Sequence, residues 1–149
     1  MNGIQTSKLI PVILPGAAVD NAAFSSNVID LNDFDGAGYI EFVGIIGDID
    51  ADMAQLRVME SGSKTDATTL GGAPAVVKAA TTLPTAAADD NKVFTFGIDL
   101  RSPRERYLQL QATAGDGAAG TFLTAFAVGE PGLASSLAAD RRLLFAEYA

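Results

Sequence analysis

The run Asp48-Ile49-Asp50-Ala51-Asp52 is the densest group of side chains able to do chemistry. Alternate carboxylates can converge their oxygens on a hard cation such as calcium. Asp48, Asp50 and Asp52 are therefore candidate metal ligands. A helix–loop–helix calcium loop beginning at Asp48 would need Gly at its sixth position and Glu at its twelfth, but Met53 and Met59 stand there. The competing reading is a solvated turn between two strands. Arg101-Ser102-Pro103-Arg104-Glu105-Arg106 holds three of the six arginines. Guanidinium forks at Arg101 and Arg104 suit an acidic partner surface. They suit equally well local pairing with Asp99 and Glu105, which contributes little stability when exposed. Arg141 and Arg142 pose the same choice near the C-terminal end.

Other chemistries lack their residues. The chain has no Cys, no His and no Trp. Thiol and Ser–His nucleophiles, Cys/His zinc sites and His-ligated haem are excluded. Glycosidase-type acid–base work needs two carboxyl groups facing one cleft. Glutamate is scarce, and Glu41 lies inside a strong strand pattern with no second carboxylate placed beside it by sequence. Either its face of the strand is exposed and mixed, or Glu41 is partly buried and paired with an arginine. Gly36-Ala37-Gly38 and Gly115-Asp116-Gly117 are followed by neither Lys-Ser/Thr nor a helix, so they read as turns rather than phosphate loops. No cofactor is expected.

Ten basic residues against eighteen acidic ones leave a net charge of −8. Phosphate backbones and anionic lipid repel such a chain, so neither nucleic acid nor membrane is an expected partner. No apolar run is long enough to span a bilayer. The opening residues lack a basic segment followed by a long apolar one, so no signal peptide is expected.

The elements that would position these residues are strands. Residues 39–46, 55–60, 93–100, 107–112 and 121–128 carry β-branched, aromatic or alternating patterns. In 93–100, Phe94, Phe96, Ile98 and Leu100 share one face. In 121–128, Phe122, Thr124, Phe126 and Val128 share one. An aromatic stripe at this spacing is a core pattern before it is a ligand slot. Weaker strands are expected at 9–14, 24–31 and 75–80. Turn chemistry separates them: Asn32-Asp33-Phe34-Asp35-Gly36, Glu60-Ser61-Gly62-Ser63, Gly71-Gly72-Ala73-Pro74 and Asp89-Asp90-Asn91. Many short strands predict an all-β fold, an antiparallel β-sandwich or jelly roll of about eight strands.

Three zones follow: an N-terminal arm or lead-in strand over 1–23, the β-sandwich domain over 24–129, and a C-terminal tail over 130–149. Residues 133–145 hold good helix formers, with Leu133, Leu137 and Leu144 on one helical face. An extended arm is the alternative. Apolar segments outside the sandwich pattern mark contacts. The candidate partner-contact residues are accordingly Ile10, Val12, Leu14, Leu144, Phe145 and Tyr148, with Arg101, Arg104, Arg141 and Arg142.

Several segments together carry a resemblance. They are Leu56-Arg57-Val58-Met59-Glu60-Ser61-Gly62-Ser63, an Ala/Thr-rich middle, Phe96-Gly97-Ile98-Asp99-Leu100, the hairpin start from Arg106 to Gly115, and Gly129-Glu130-Pro131. Over residues 38–131 this resembles the small structural proteins of tailed bacteriophages, in particular capsid decoration (cementing) proteins. The resemblance implies a β-sandwich or jelly roll, a homotrimer, the major capsid protein as partner, terminal arms that grip the shell or one another, and no catalytic residue. It also implies a place on the virion surface after synthesis in the host cytoplasm. Two other readings stay open: a phage tail or head–tail component, and a calcium-assisted carbohydrate-binding sandwich.

Overall fold

Period-2 alternation turns one face of a strand to the core, and chain segments of that pattern form the two sheets of this protein. The computed structural model describes residues 8–34, 37–86, 88–130 and 143–148, with the backbone alone for Glu130 and 143–148. The strands are β1 (Lys8–Ile13), β2 (Ile29–Asp30), β3 (Tyr39–Ile46), β4 (Gln55–Ser61), β5 (Lys64–Asp66), β6 (Thr69–Leu70), β7 (Ala75–Ala79), β8 (Val93–Asp99), β9 (Tyr107–Thr113), β10 (Leu123–Glu130) and β11 (Leu143–Tyr148). One turn of 3-10 helix, Leu31–Phe34, follows β2.

A five-stranded sheet has the order β1-β10-β3-β8-β11, and a four-stranded sheet the order β2-β9-β4-β7. β5 and β6 form a separate small hairpin. With that hairpin and β11 set aside, eight strands remain, paired first with last: β1 with β10, β2 with β9, β3 with β8, β4 with β7. This is one long antiparallel hairpin with its tip at β4 and β7. It is rolled over so that β10 also meets β3 and β9 also meets β4. The expected jelly roll is therefore the observed topology.

The core lies between the sheets. Ile40, Phe42 and Ile46 of β3 and Phe94, Phe96 and Ile98 of β8 face Leu56 and Val58 of β4 and Leu108 and Leu110 of β9. Sequence alternation set the core faces of β4, β8 and β9 correctly, and on β3, whose facing it left open, Ile40, Phe42 and Ile46 turn inward. On β10 the outcome differs. Leu123, Ala125 and Ala127 face inward, whereas Phe122 is 46% exposed and Phe126 is half-buried. The reason is packing. Phe94 lies over Gly44, the residue paired with Ala125, and Phe34 closes over Gly129. The large rings on their neighbours leave β10 room only for small side chains on its inner face.

The lead-in segment is an integral edge strand over Lys8–Ile13 rather than an arm. Residues 24–31 yield only the two-residue β2, because the chain bows away from β9 between Phe24 and Ile29. The tail is extended over Leu143–Tyr148, as the parallel neighbour of β8. The helical reading thus fails from Leu143 onward, and its remainder, 133–142, lies outside the described residues.

Candidate functional site

Residues 48–52 link β3 to β4, and their carboxylates do not converge. Asp50 Oδ2 accepts the backbone N–H groups of Ala118, Ala119 and Gly120. These three bonds hold the Asp50 carboxyl below its ordinary value of 3.8. Asp52 Oδ1 accepts the Ala86 N–H at 2.8 Å, on another loop. Asp48 is exposed, while its carbonyl accepts the Phe122 N–H at 3.1 Å. Ile49 and Met53, 5% and 2% exposed, pin the turn to the core. Among the described residues no group of three acidic side chains could hold a metal ion. Asp50 and Asp52 act as loop fasteners, each bonding the backbone of a different loop.

The arginine cluster is largely engaged locally. Arg101 grips Asp99 with both arms of its fork, at 2.9 and 3.1 Å. That side-chain pairing, with the Arg101 N–H, lowers the Asp99 carboxyl and raises the Arg101 guanidinium. Arg106 grips Asp30 in the same manner at 3.1 and 2.7 Å, joining β9 to β2. Arg104 donates to the Asp99 carbonyl at 3.3 Å. Glu105 takes no part in these pairs; its N–H donates to Glu60. Arg141 and Arg142 lie outside the described residues.

Glu41 is 5% exposed, and its Oε1 has no hydrogen-bond partner among the described residues. The pairing with arginine expected of a buried Glu41 is therefore not found there. Glu41 sits on the outer face of the five-stranded sheet, in a row with Leu9, Val128 and Gly97. The next row is Pro11, Phe126, Val43 and Thr95, and the next Thr124, Ile45 and Val93. The middle of this outer face is buried, with Glu41, Val43 and Thr95 at 5%, 8% and 0% exposed, and its exposed apolar side chains lie toward the β1 edge and the Ile45 end. Leu9 is 61% exposed, Leu14 62% and Ile45 45%. Ile45 and Phe122 line a hollow of about 200 Å³ with Pro15 and Gly16.

The partner-contact candidates divide on this surface. Leu14 is exposed beside the hollow. Val12 is 1% exposed and belongs to the core, and Ile10 is half-buried against it, because both face inward on β1. Neither offers a free surface. Leu144, Phe145 and Tyr148 lie on β11, where the backbone alone is described. Sequence reading passed over Ile45 and Phe122 as contact residues. Both are exposed between buried neighbours, Ile45 between Gly44 and Ile46 and Phe122 between Thr121 and Leu123, whereas the sequence pattern puts Phe122 in a core stripe.

A second concave surface lies on the outer face of the four-stranded sheet. Gln55, Gln109, Gln111 and Thr113 line its floor. Arg57 donates to Gln111 Oε1 from Nε at 3.2 Å and from Nη2 at 3.0 Å. Gln111 Nε2 donates to Gln109 Oε1 at 3.1 Å. Gln109 Nε2 donates to the carbonyls of Ser26 and Thr68 at 2.8 and 2.7 Å. None of these residues was a sequence candidate, although Gln109 and Gln111 share the polar side of an alternating strand.

Comparison with protein families, curated proteins and solved structures finds no match to this chain. Among the described residues no helix is long and apolar enough to cross a membrane.

Proposed function

We propose that this chain is a structural protein of a tailed-phage virion. In this reading it binds the assembled major capsid protein as a decoration or cementing protein and does so as a homotrimer. The observation that carries the reading is a set of exposed apolar side chains at the margin of the five-stranded sheet: Leu9 and Ile45 on its strands and Leu14 and Phe122 next to them, each 45–62% exposed. Exposed apolar side chains at the margin of one sheet favour a protein contact over a catalytic cleft. Two further points support it. The jelly roll is an architecture of viral capsid domains, though it also serves lectins and cupins, so it is an analogy of fold. The C-terminal strand β11 joins the sheet edge through one parallel ladder, the geometry by which an added strand ties one chain to another. A cyclic trimer repeats each weak contact three times and matches a three-fold lattice position.

Mass spectrometry of gradient-purified virions from an induced culture of the source strain tests the capsid assignment. The chain should co-purify in amounts comparable to the major capsid protein; its absence from virions defeats the proposal. Light scattering on a sizing column tests the trimer. Three chains of 15.3 kDa give a mass near 46 kDa (3 × 15.3), and Phe122→Lys should lower it. A mass of one chain, unchanged by Phe122→Lys, removes the trimer.

A further inference from the structure

The floor of glutamines on the four-stranded sheet lies in a groove of about 360 Å³, the size class of small-ligand sites. Its walls are residues 23–26, where the chain bows away from β9, and residues 68–70 of the small hairpin. Among the described residues no Asp, Glu, Lys or Arg lines it. The groove is therefore neutral in a chain of net charge −8.

The floor is also pre-organised. Arg57 has donors and no acceptor, so it dictates which end of the Gln111 amide faces it: the oxygen. The Gln111 nitrogen must then turn to Gln109, whose own nitrogen faces the carbonyls of Ser26 and Thr68. One cation thus sets the orientation of two amides through a chain of bonds. Two groups are left over. The second N–H of Gln111 and the whole Gln55 amide have no bond among the described residues, and the Gln55 side chain is half-buried. Neither amide has a buried atom without a partner, so these groups face the solvent of the groove and are open to a ligand.

We infer that this groove is a binding site for a neutral saccharide. A sugar hydroxyl both donates and accepts, and so it can bond the Gln55 oxygen, the Gln55 nitrogen and the free Gln111 N–H. The hydroxyls of Ser25 and Thr113 border the same space. The other ligand classes fit less well. A cation finds no carboxylate. An anion finds only Arg57, which is behind Gln111 and already has Nε and Nη2 committed to it. An apolar ligand would bury the Gln55 amide without a partner. A peptide strand would need a free sheet edge, whereas the floor strands β4 and β9 are already paired with each other along Gln55–Ser61 and Tyr107–Thr113. Phe24, the one aromatic in the lining, is buried, so the sugar has no exposed ring to stack on. Binding in the range of about 1–10 mM per site follows. The site stands apart from the exposed apolar margin of the other sheet, so failure of the virion proposal leaves it intact.

The test is amide NMR of the full ¹⁵N-labelled chain titrated with cellobiose, maltose or di-N-acetylchitobiose to about 20 mM. The expected result is saturable shifts of the Gln55 and Gln111 side-chain amides and of backbone amides in 68–70 and 109–113 with at least one disaccharide. Gln55→Ala should weaken that binding at least about 5-fold, an effect of roughly 1 kcal/mol for one lost hydrogen bond. Ser25→Arg, an exposed wall position, should block it without touching the relay. Arg101→Ala, on a remote loop, should leave it unchanged. Absence of saturable shifts at the groove with all of these sugars overturns the inference. So do shifts that persist undiminished in both Gln55→Ala and Ser25→Arg.

Discussion

Replacing Gly44 by alanine should destabilise the protein through one identified ring. Gly44 lies mid-strand in β3, with Ala125 paired on one side and Phe94 on the other. A Cβ there would stand 2.8 Å from Phe94 Cε2 and closer still to Cζ and Cε1. Carbon atoms pack at about 3.5–4.0 Å, so the ring must retreat by roughly 1.5 Å at its nearest atom. It has little freedom to do so. Phe94 is 0% exposed and stands edge-on to Phe96, their centroids 5.9 Å apart at an interplanar angle of 72°. Overpacking of this kind costs about 1–3 kcal/mol, and a locked ring belongs in the upper half of that range. Gly44 does not have a positive φ. Alanine therefore also restricts the unfolded chain, offsetting about 0.4–1 kcal/mol. The net loss is about 1–2.5 kcal/mol, a fall in Tm of about 2–10 °C for a chain of this size.

Urea unfolding followed by circular dichroism and tyrosine fluorescence measures this loss. The urea midpoint should drop with an unchanged slope. A double-mutant cycle then identifies the cause. In the Phe94→Leu background the added methyl has space, so the Gly44→Ala cost should shrink by at least about 1 kcal/mol. A cost within about 0.5 kcal/mol of zero would refute the reasoning, as would strict additivity of the two changes. Either result would mean that Phe94 does not cover Gly44.

Neighbouring residues of the lead-in segment should behave oppositely. Val12→Lys should cost more than about 3 kcal/mol by burying an unpaired charge, while Leu14→Lys should leave the melt within about 0.5 kcal/mol and reduce the mass seen by light scattering. Thermal melts decide this, and a Leu14→Lys chain that fails to fold contradicts the assigned faces. Acid should also destabilise the fold. Asp30, through its bonds to Arg106, is held below 3.8. Asp89 is raised by burial, but the Thr85 N–H, Lys92 and the Thr85 hydroxyl outweigh that and lower it below 3.8. Such groups take up protons more readily when unfolded, so their contribution is complete above the ordinary aspartate value and is lost as pH falls through the folded one. The urea midpoint should hold from about pH 7 to 5 and decline below about pH 4, less steeply in Asp30→Asn. That solvent-screened pair supplies only a small part of the decline. Asp50→Asn should speed hydrogen exchange at Ala118 and Ala119 with the far-ultraviolet spectrum unchanged. Calcium or chelator should leave the parent melt unmoved, and a calcium-dependent rise in Tm would restore the metal reading of Asp48, Asp50 and Asp52.

Much of the architecture was legible because its signals are local. The alternation in 93–100 and 107–112, and the Asp-rich and Gly-rich breaks, need no knowledge of distant residues. The pairing of Arg101 with Asp99 was readable for the same reason, being two residues apart. The tie between Arg106 and Asp30 was not, since it depends on β2 lying against β9. The candidate sites fared less well. Asp50 and Asp52 looked convergent in sequence, but residues 48–52 form an irregular link rather than a strand, so the same-side rule does not hold there, and each found backbone on a different loop. The glutamine groove was invisible as a site because Gln55 and Gln111 meet only through the β4–β9 ladder.

The class of the fold, the number of core strands and the lack of thiol and imidazole groups can be read directly from the residues. These follow from composition and from a period that every strand states for itself. The order of the strands, the parallel seat of β11 on β8 and the side of β10 that is the core depend instead on contacts between segments far apart in sequence. Phe126 is more apolar than Ala125, and judged alone it should be inside. Neighbouring rings already fill that volume, so Ala125 and Ala127 face inward and Phe122 and Phe126 turn outward. Close packing is a constraint on the sum of many side chains. No single strand contains it, and here it shapes the exposed apolar surface on which the proposed function rests.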